Sequence, residues 1–368
     1  MPAHVLTLTV LLAALASAAV AEEAAIPSAG DADIRAILVD VLRQQGVPAL
    51  GAAVLRGHAA PLIAVAGWRK RGDRTPVTVE DRWHLGSCTK AMTATLAARL
   101  VVRGALSWQT SVAQSFPELG AAMAGGWGST TIDALLMHRS GAPANLPWAG
   151  LADRRAAVRQ ATATAPIAPG TYAYSNAGYV LAGAMIERAG SGTWESLLAK
   201  EVWQPLGMVG GFGGMGTPGL VDQPWGHQAD GRPAGNGPQA DNPEVMGPAG
   251  RVHLSLADWS RFIADQVAGE RGEPALLPTE AYHHLHQPWP LAAGAGTSEP
   301  RYACGWIVVE RPWAHGRALT HEGTNTMHVA VAWLAPAIDL AILVVCNQGG
   351  TDAACDAVAS RLVDRYAH

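Results

Sequence analysis

The chain has 368 residues, 49% of them hydrophobic and 15% charged, and a formal net charge of -4. That length buries a large core in one domain or two intertwined ones, and the slightly acidic balance provides no basic footprint for nucleic acid. The sequence contains no internal repeat, no charge block and no C-x-x-C pair of the kind that holds zinc.

Residues 1–21 are expected to be a secretory signal. Residues 5–16 are apolar but too few to span a bilayer, and Ala19-Val20-Ala21 before Glu22 gives a small-x-small cleavage site. The only positive groups ahead of the apolar run are His4 and the amino terminus, and no cysteine near the cleavage point offers a lipid attachment. The expected location is the periplasm or the exterior, with no membrane span left after cleavage.

Residues 31–45 place Ile34, Ile37, Leu38, Val41 and Leu42 on one helical face. Residues 49–55 and 62–68 follow as two strands around a polar turn at Gly57, while 302–309, 318–333 and 340–345 read as three more, closed by a helix over 353–366. The prediction is an α+β fold, with an antiparallel five-stranded sheet carrying the terminal helices on one face. Residues 22–86 and 300–368 form this sheet lobe, residues 87–299 a mostly helical lobe, and both together one catalytic domain.

Ser87-Cys88-Thr89-Lys90 opens an apolar run without Gly or Pro, so Ser87 is expected at the start of a buried helix. Lys90 then shares a helix face with Ser87, and Gly86 permits a sharp turn into it. Free N–H groups and the helix dipole face any oxyanion formed there, while Cys88 is turned away from Lys90. Four-residue patterns recur by chance, so two further segments matter. Tyr174-Ser175-Asn176, after Ala168-Pro169-Gly170-Thr171, reads as a loop entering a helix, with Asn176 as a candidate cap. His321-Glu322-Gly323 lies inside the alternating stretch 318–333.

Ser-x-x-Lys, Tyr-x-Asn and His-x-Gly in this order resemble the penicillin-recognising serine hydrolases, in the branch with class C β-lactamases, D,D-carboxypeptidases, D-aminopeptidases and serine esterases. Residues 135–141, 205–208 and 302–306 are similar to further landmarks of that family, so the resemblance covers nearly the whole mature chain. It implies a β-lactamase/transpeptidase-like fold and a cleft where the three motifs meet. It also implies an acyl-enzyme on Ser87, with Lys90, Tyr174 and His321 as catalytic partners. Tyr174 takes the part of general base in the resembling family, and the proton state of Lys90 stays open. Asn176 would orient the substrate and hold Lys90, and the N–H groups of Ser87 and Thr324, with Gly323 beside them, would form the oxyanion hole. No metal or other cofactor is implied. The expected substrates are small molecules or peptidoglycan peptides: D-amino-acid peptides or β-lactam-like amides first, carboxylic esters second. A penicillin-binding sensor that acylates without turnover is a further alternative.

Glu322 stands where relatives carry Thr or Ser, and strand alternation points it away from His321. Arg251 could offer a compensating cation but reads more simply as a solvated surface arginine. Cys346 and Cys355 are placed for a bridge, with two isolated buried thiols the equal alternative. The run His283-His284-Leu285-His286 resembles a metal cluster but lacks a matched acidic or cysteine partner. The glycine-rich 210–216 segment reads as a flexible surface loop, His138 as a structural histidine, and Ser255 to Asp258 as a capping box. Trp83, Trp148 and Trp306 are candidates for pocket walls.

Overall fold

The computed structural model describes residues 26–273, 275–290 and 301–368. The predicted signal lies outside them.

Twelve strands follow in chain order: β1 (Ser28–Gly30), β2 (Ala49–Arg56), β3 (Leu62–Gly67), β4 (Arg82–His84), β5 (Gly210–Phe212) and β6 (Gly226–His227), then β7 (Pro233–Gly235), β8 (Val252–Ser255), β9 (Ile307–Arg311), β10 (Gly316–Thr324), β11 (Val329–Ala335) and β12 (Leu340–Cys346). Near-continuous apolar runs make β2 and β12 buried at almost every position. Strands covered on both faces belong at a sheet centre, and these two pair there, Ile342 opposite Val54. The main sheet is antiparallel throughout, in the order β1-β3-β2-β12-β11-β10-β9.

Alternation divides its side chains between two cores. Leu50, Ala52, Val54, Ile342 and Val344 face Ile34, Leu38, Val41, Val358 and Leu362 of the terminal helices Ala32–Gln45 and Asp352–Tyr366. Ala49, Ala53, Leu343 and Val345 face the helical lobe, where Leu256 and Trp259 of the helix Leu256–Glu270 pack. Asp31 caps the first helix by accepting from the N–H groups of Asp33 and Ile34.

The sheet has seven strands rather than the expected five. The short β1 carries no alternating signal, and the stretch 318–333 is a hairpin of β10 and β11 rather than one strand. Asn325 Oδ1 accepts from the N–H groups of Met327 and His328 and turns the chain there. That turn carries neither Gly nor Pro, and Asn325 alone marks it in the sequence. The 210–216 segment is likewise not a free loop, because β5 pairs with β8, which also holds β4. All four cysteines are buried free thiols, so no Cys346–Cys355 bridge forms. Ser255 Oγ accepts from Asp258 N–H at 3.0 Å, the predicted cap. No helix among the described residues is long and apolar enough to cross a membrane.

Candidate active site

Ser87 sits in a 3-10 turn, Gly86–Cys88, that feeds the helix Thr89–Val102. Lys90 lies in the first turn of that helix, so its side chain doubles back and places Nζ 3.0 Å from Ser87 Oγ. Nζ is also 2.9 Å from Asn176 Oδ1 and 2.6 Å from the Ala249 carbonyl oxygen, so its three hydrogen-bond positions are filled by protein oxygens. Lys90 has no solvent-exposed surface, and burial pulls its pKa down to about 7. Tyr174 is hydrogen-bonded to Ser87, and burial pushes its phenol upward. Lys90 Nζ lies 4.9 Å from the centre of the Tyr174 ring. The helix cap there is Ser175, not Asn176: Ser175 Oγ accepts from Gly178 N–H at 2.8 Å. Asn176 is thereby freed to turn its oxygen to Lys90 and its Nδ2 to Asn145 Oδ1 at 3.0 Å.

Strand β10 approaches this turn backbone to backbone. A Cβ on Gly323 would stand 2.0 Å from Leu85 O and 2.7 Å from Ser87 N, and one on Gly86, which has φ +48°, would stand 2.2 Å from Thr324 N. Only side-chain-free residues allow that contact. Ser87, Asn176 and Thr324 line one cleft of about 260 Å³ with Asn145, Trp148, Asn242 and Met246. Among the described residues no charged side chain lines it. Of the three candidate tryptophans, Trp148 reaches the cleft, while Trp83 and Trp306 are core residues.

His321 stands behind this cleft. Its Nδ1 faces the Glu322 carbonyl oxygen at 2.6 Å, which can only accept, so Nδ1 carries the ring proton. Nε2 then accepts from the Tyr302 hydroxyl at 2.9 Å. Burial lowers the His321 pKa to about 3, and the charge of Lys90 adds to this. The histidine is therefore a neutral acceptor whose partner is Tyr302, with no hydrogen bond to Tyr174 or Ser87. Glu322 is exposed on the other side, as alternation requires. His138 is structural as expected: it is buried, its Nδ1 accepts from Ser175 N–H, and its ring lies 4.2 Å from that of Tyr174 and 4.5 Å from that of Tyr302.

Arg251 is not a surface residue. It is buried, with Nε 3.4 Å from Asp241 Oδ2. Asp241 also meets His84 Nε2 at 2.9 Å through Oδ2 and Asn325 Nδ2 at 3.0 Å through Oδ1. The Gly86 N–H donates to His84 Nδ1 at 3.1 Å, which puts the ring proton of His84 on Nε2, facing the carboxylate. Burial alone would raise the Asp241 pKa, but His84 and Asn325 hold it well below the carboxylate range.

A serine beside a buried amine, with two backbone N–H groups at the same cleft, is the equipment for acyl transfer. The family model that matches this chain, over residues 31–365, is that of Beta-lactamase. The chain belongs to the Beta-lactamase family. Relatives in sequence include the Unguisins hydrolase ungD of Aspergillus violaceofuscus, 24% identical over 353 residues, or 86% of this chain and 61% of that protein. Penicillin-binding protein 4 of Amycolatopsis lactamdurans is 28% identical over 280 residues, or 69% of this chain and 66% of that protein. The chain thus spans a little under two thirds of the length of these curated relatives. Among solved structures, SurE with D-Leu superposes with a TM-score of 0.75 at 21% identity, covering 91% of this chain and 75% of that one. The class C beta lactamase from Rhodobacter sphaeroides gives 0.75 at 21%, covering 90% and 98%. These neighbours show the Beta-lactamase fold, in keeping with the α+β expectation.

All seven motif residues named from the sequence converge, with His321 one step removed from the serine. Sequence reading missed Asp241, His84 and Asn325, which lie on three separate segments and form no local pattern. Tyr302 stood inside a recognised landmark, but nothing local tied it to His321.

Proposed function

We propose that this protein is a serine hydrolase that forms an acyl-enzyme on Ser87, acting on D-amino-acid peptides or β-lactam-like amides. The observation that carries this reading is the 3.0 Å contact between Ser87 Oγ and a buried Lys90 amine whose pKa is pulled down to about 7, so that a substantial share of it is neutral near pH 7. A neutral amine can accept the serine proton, whereas burial opposes the phenolate that Tyr174 would need in order to act as base.

As Ser87 Oγ bonds to the substrate carbonyl carbon, its proton passes to Lys90. The oxyanion is met by the N–H groups of Ser87 and Thr324. When the tetrahedral species collapses, the bond to the leaving group breaks and the leaving atom takes a proton from the Tyr174 hydroxyl, which Lys90 replenishes. Water then attacks the acyl-enzyme along the reverse proton path and returns Ser87. Asn176 fixes Lys90 while Asn145 fixes Asn176. Asp241 spaces the two oxyanion donors, and His321 positions Tyr302 against the aromatic cluster around Tyr174.

The likeness to a hydrolase of unguisins and to a penicillin-binding protein supports hydrolysis and a penicillin-like ligand. An esterase or acyltransferase is the second reading. The observation that favours this second reading is that Arg251 is bound to Asp241 and the described cleft lining is uncharged, so no free side-chain cation there awaits a substrate carboxylate. We place the protein outside the cytoplasm, on the strength of the apolar run and small-x-small site in residues 1–21.

The test is a turnover panel with a chromogenic cephalosporin, a D-alanyl-D-alanine peptide and a short-chain nitrophenyl ester, with mass spectrometry of the trapped intermediate. An acyl adduct on Ser87, lost in Ser87→Ala, is expected. Activity surviving in Ser87→Ala rejects the site, and turnover of the ester alone selects the second reading.

A further inference from the structure

Asp133 lies in the first turn of the helix Ile132–Leu136, His284 in the helix Thr279–His286, and Cys304 in the turn that precedes β9. His284 Nε2 is 2.8 Å from Asp133 Oδ1, and the donor atoms of all three residues, including Cys304 Sγ, lie within 4.8 Å of one another. Among the described residues this is the one such group of three metal-ligating side chains. The partner that the histidine run lacks in its own segment is supplied by the fold from 151 residues away.

The surroundings hold the three groups in place. The His284 ring stacks on Trp108 with centroids 4.2 Å apart and planes 21° apart, which fixes its direction. The Cys304 N–H donates to the Leu285 carbonyl oxygen at 3.1 Å, tying the thiol's turn to the histidine's helix. Cys304 is buried at the floor, while Asp133 and His284 are partly exposed above it and leave an ion a path from solvent.

We propose that Asp133, His284 and Cys304 form a binding site for one divalent cation of the zinc class, separate from the serine cleft. Thiolate, imidazole and carboxylate are the donors this borderline-soft ion takes, with water completing a tetrahedron. Ligand atoms around such an ion sit roughly 3.5 Å apart, given bonds of about 2.0–2.3 Å. Closing the present 4.8 Å spread takes side-chain movement on the order of 1 Å. On binding, Cys304 loses its proton to solvent and the proton of His284 moves from Nε2 to Nδ1, so Nε2 bonds the ion in place of its hydrogen bond to Asp133. Burial and the charge of Asp133 both hold the Cys304 thiol protonated. A dication between the sulfur and the carboxylate reverses both effects.

Titration of the chelator-treated full-length protein with cobalt(II) tests this. The expected result is a thiolate-to-cobalt charge-transfer band that saturates at one cobalt per chain, is displaced by zinc, and is absent in Cys304→Ala. Losing an outer partner of a metal ligand costs about 10–100-fold in affinity, so His284→Gln, which removes a ligand itself, should weaken cobalt binding by more than roughly 100-fold. No band in the wild type, or a band that persists in Cys304→Ala, overturns the proposal. Should Cys304→Ala fail to fold, unchanged affinity in the partly exposed His284→Gln overturns it instead. The readout is metal binding, so its failure leaves the serine chemistry untouched, and Ser87→Ala should bind cobalt as the wild type does.

Discussion

The carboxylate of Asp241 and the imidazole of His84 meet at 2.9 Å with neither side chain reaching solvent. Through His84 the carboxylate holds the Gly86 N–H, one residue before Ser87, and through its other oxygen it holds Asn325, one residue after Thr324. One buried charge thus grips both segments that carry the proposed oxyanion donors. Asp241→Asn should lower kcat by about tenfold or more with KM little changed, less than the about 100- to 1,000-fold of a lost donor. Asp241→Ala leaves the buried Arg251 cation without its anion and the His84 Nε2–H without its acceptor, and should cost about 3–5 kcal/mol in urea unfolding. A kcat equal to wild type in Asp241→Asn would remove the residue from any positioning role.

Lys90 sets a pH dependence of two kinds. If the neutral amine takes the serine proton, kcat/KM should rise with pH through about 7, the value to which burial brings this group. Stability should follow the same proton. Between pH 7 and 9 the unfolded chain holds a lysine proton that the folded chain has largely released, so the Lys90 contribution to stability increases with pH. Urea unfolding of wild type and Lys90→Met at both pH values isolates this: the wild type should gain relative to the variant on going up. No relative gain would mean that the buried amine keeps its charge over this range.

The contact between Gly86 and Thr324 leaves no room for a methyl group. Gly86→Ala would place its Cβ 2.2 Å from Thr324 N on a backbone with φ +48°, pushing β10 away from the serine turn. The expected loss is about 100- to 1,000-fold in kcat, the scale of one missing oxyanion donor. Circular dichroism should show the sheet intact. A variant with normal turnover would place the oxyanion elsewhere.

Tyr174→Phe separates delivery of a proton from binding. General acid catalysis contributes about 100- to 10,000-fold, and a nitrophenolate leaves without it. Amide hydrolysis should therefore fall by that range while cleavage of the activated ester falls far less. Equal losses on both substrates would assign the hydroxyl to another step.

Tyr302→Phe removes the donor that meets His321 Nε2 at 2.9 Å and leaves a buried acceptor bare. That should cost about 1–3 kcal/mol of stability. With His321 neutral down to about pH 3, no titration of this histidine should be visible in the rate profile between pH 4 and 6. A His321 proton chemical shift that titrates in that window would contradict the lowering of its pKa by burial.

What was legible in the sequence depended on whether the relation was local. Ser87 and Lys90 are one helical turn apart, so their meeting follows from helix geometry alone. The helix Ala32–Gln45 follows likewise from its apolar spacing and from Asp31 before it. The central strands were legible because burial on both faces demands apolar side chains. Asp241 was not, because its partners His84, Arg251 and Asn325 come from separate segments. Arg251 was misread for the same reason, since an arginine beside glycine looks solvated until the distant carboxylate is known. The β10–β11 turn was read through because the alternation of apolar residues continues on both sides of Asn325.

The meeting of β10 with the serine turn at Gly86 and Gly323 is main chain against main chain, so no change of side chain there can alter how closely the two segments approach. Adaptation to bulkier acyl groups falls instead on lining side chains that hold none of the proposed machinery, such as Trp148, Asn242 and Met246. Descendants of this sequence could thereby diverge widely in diet while inheriting an unaltered reaction centre.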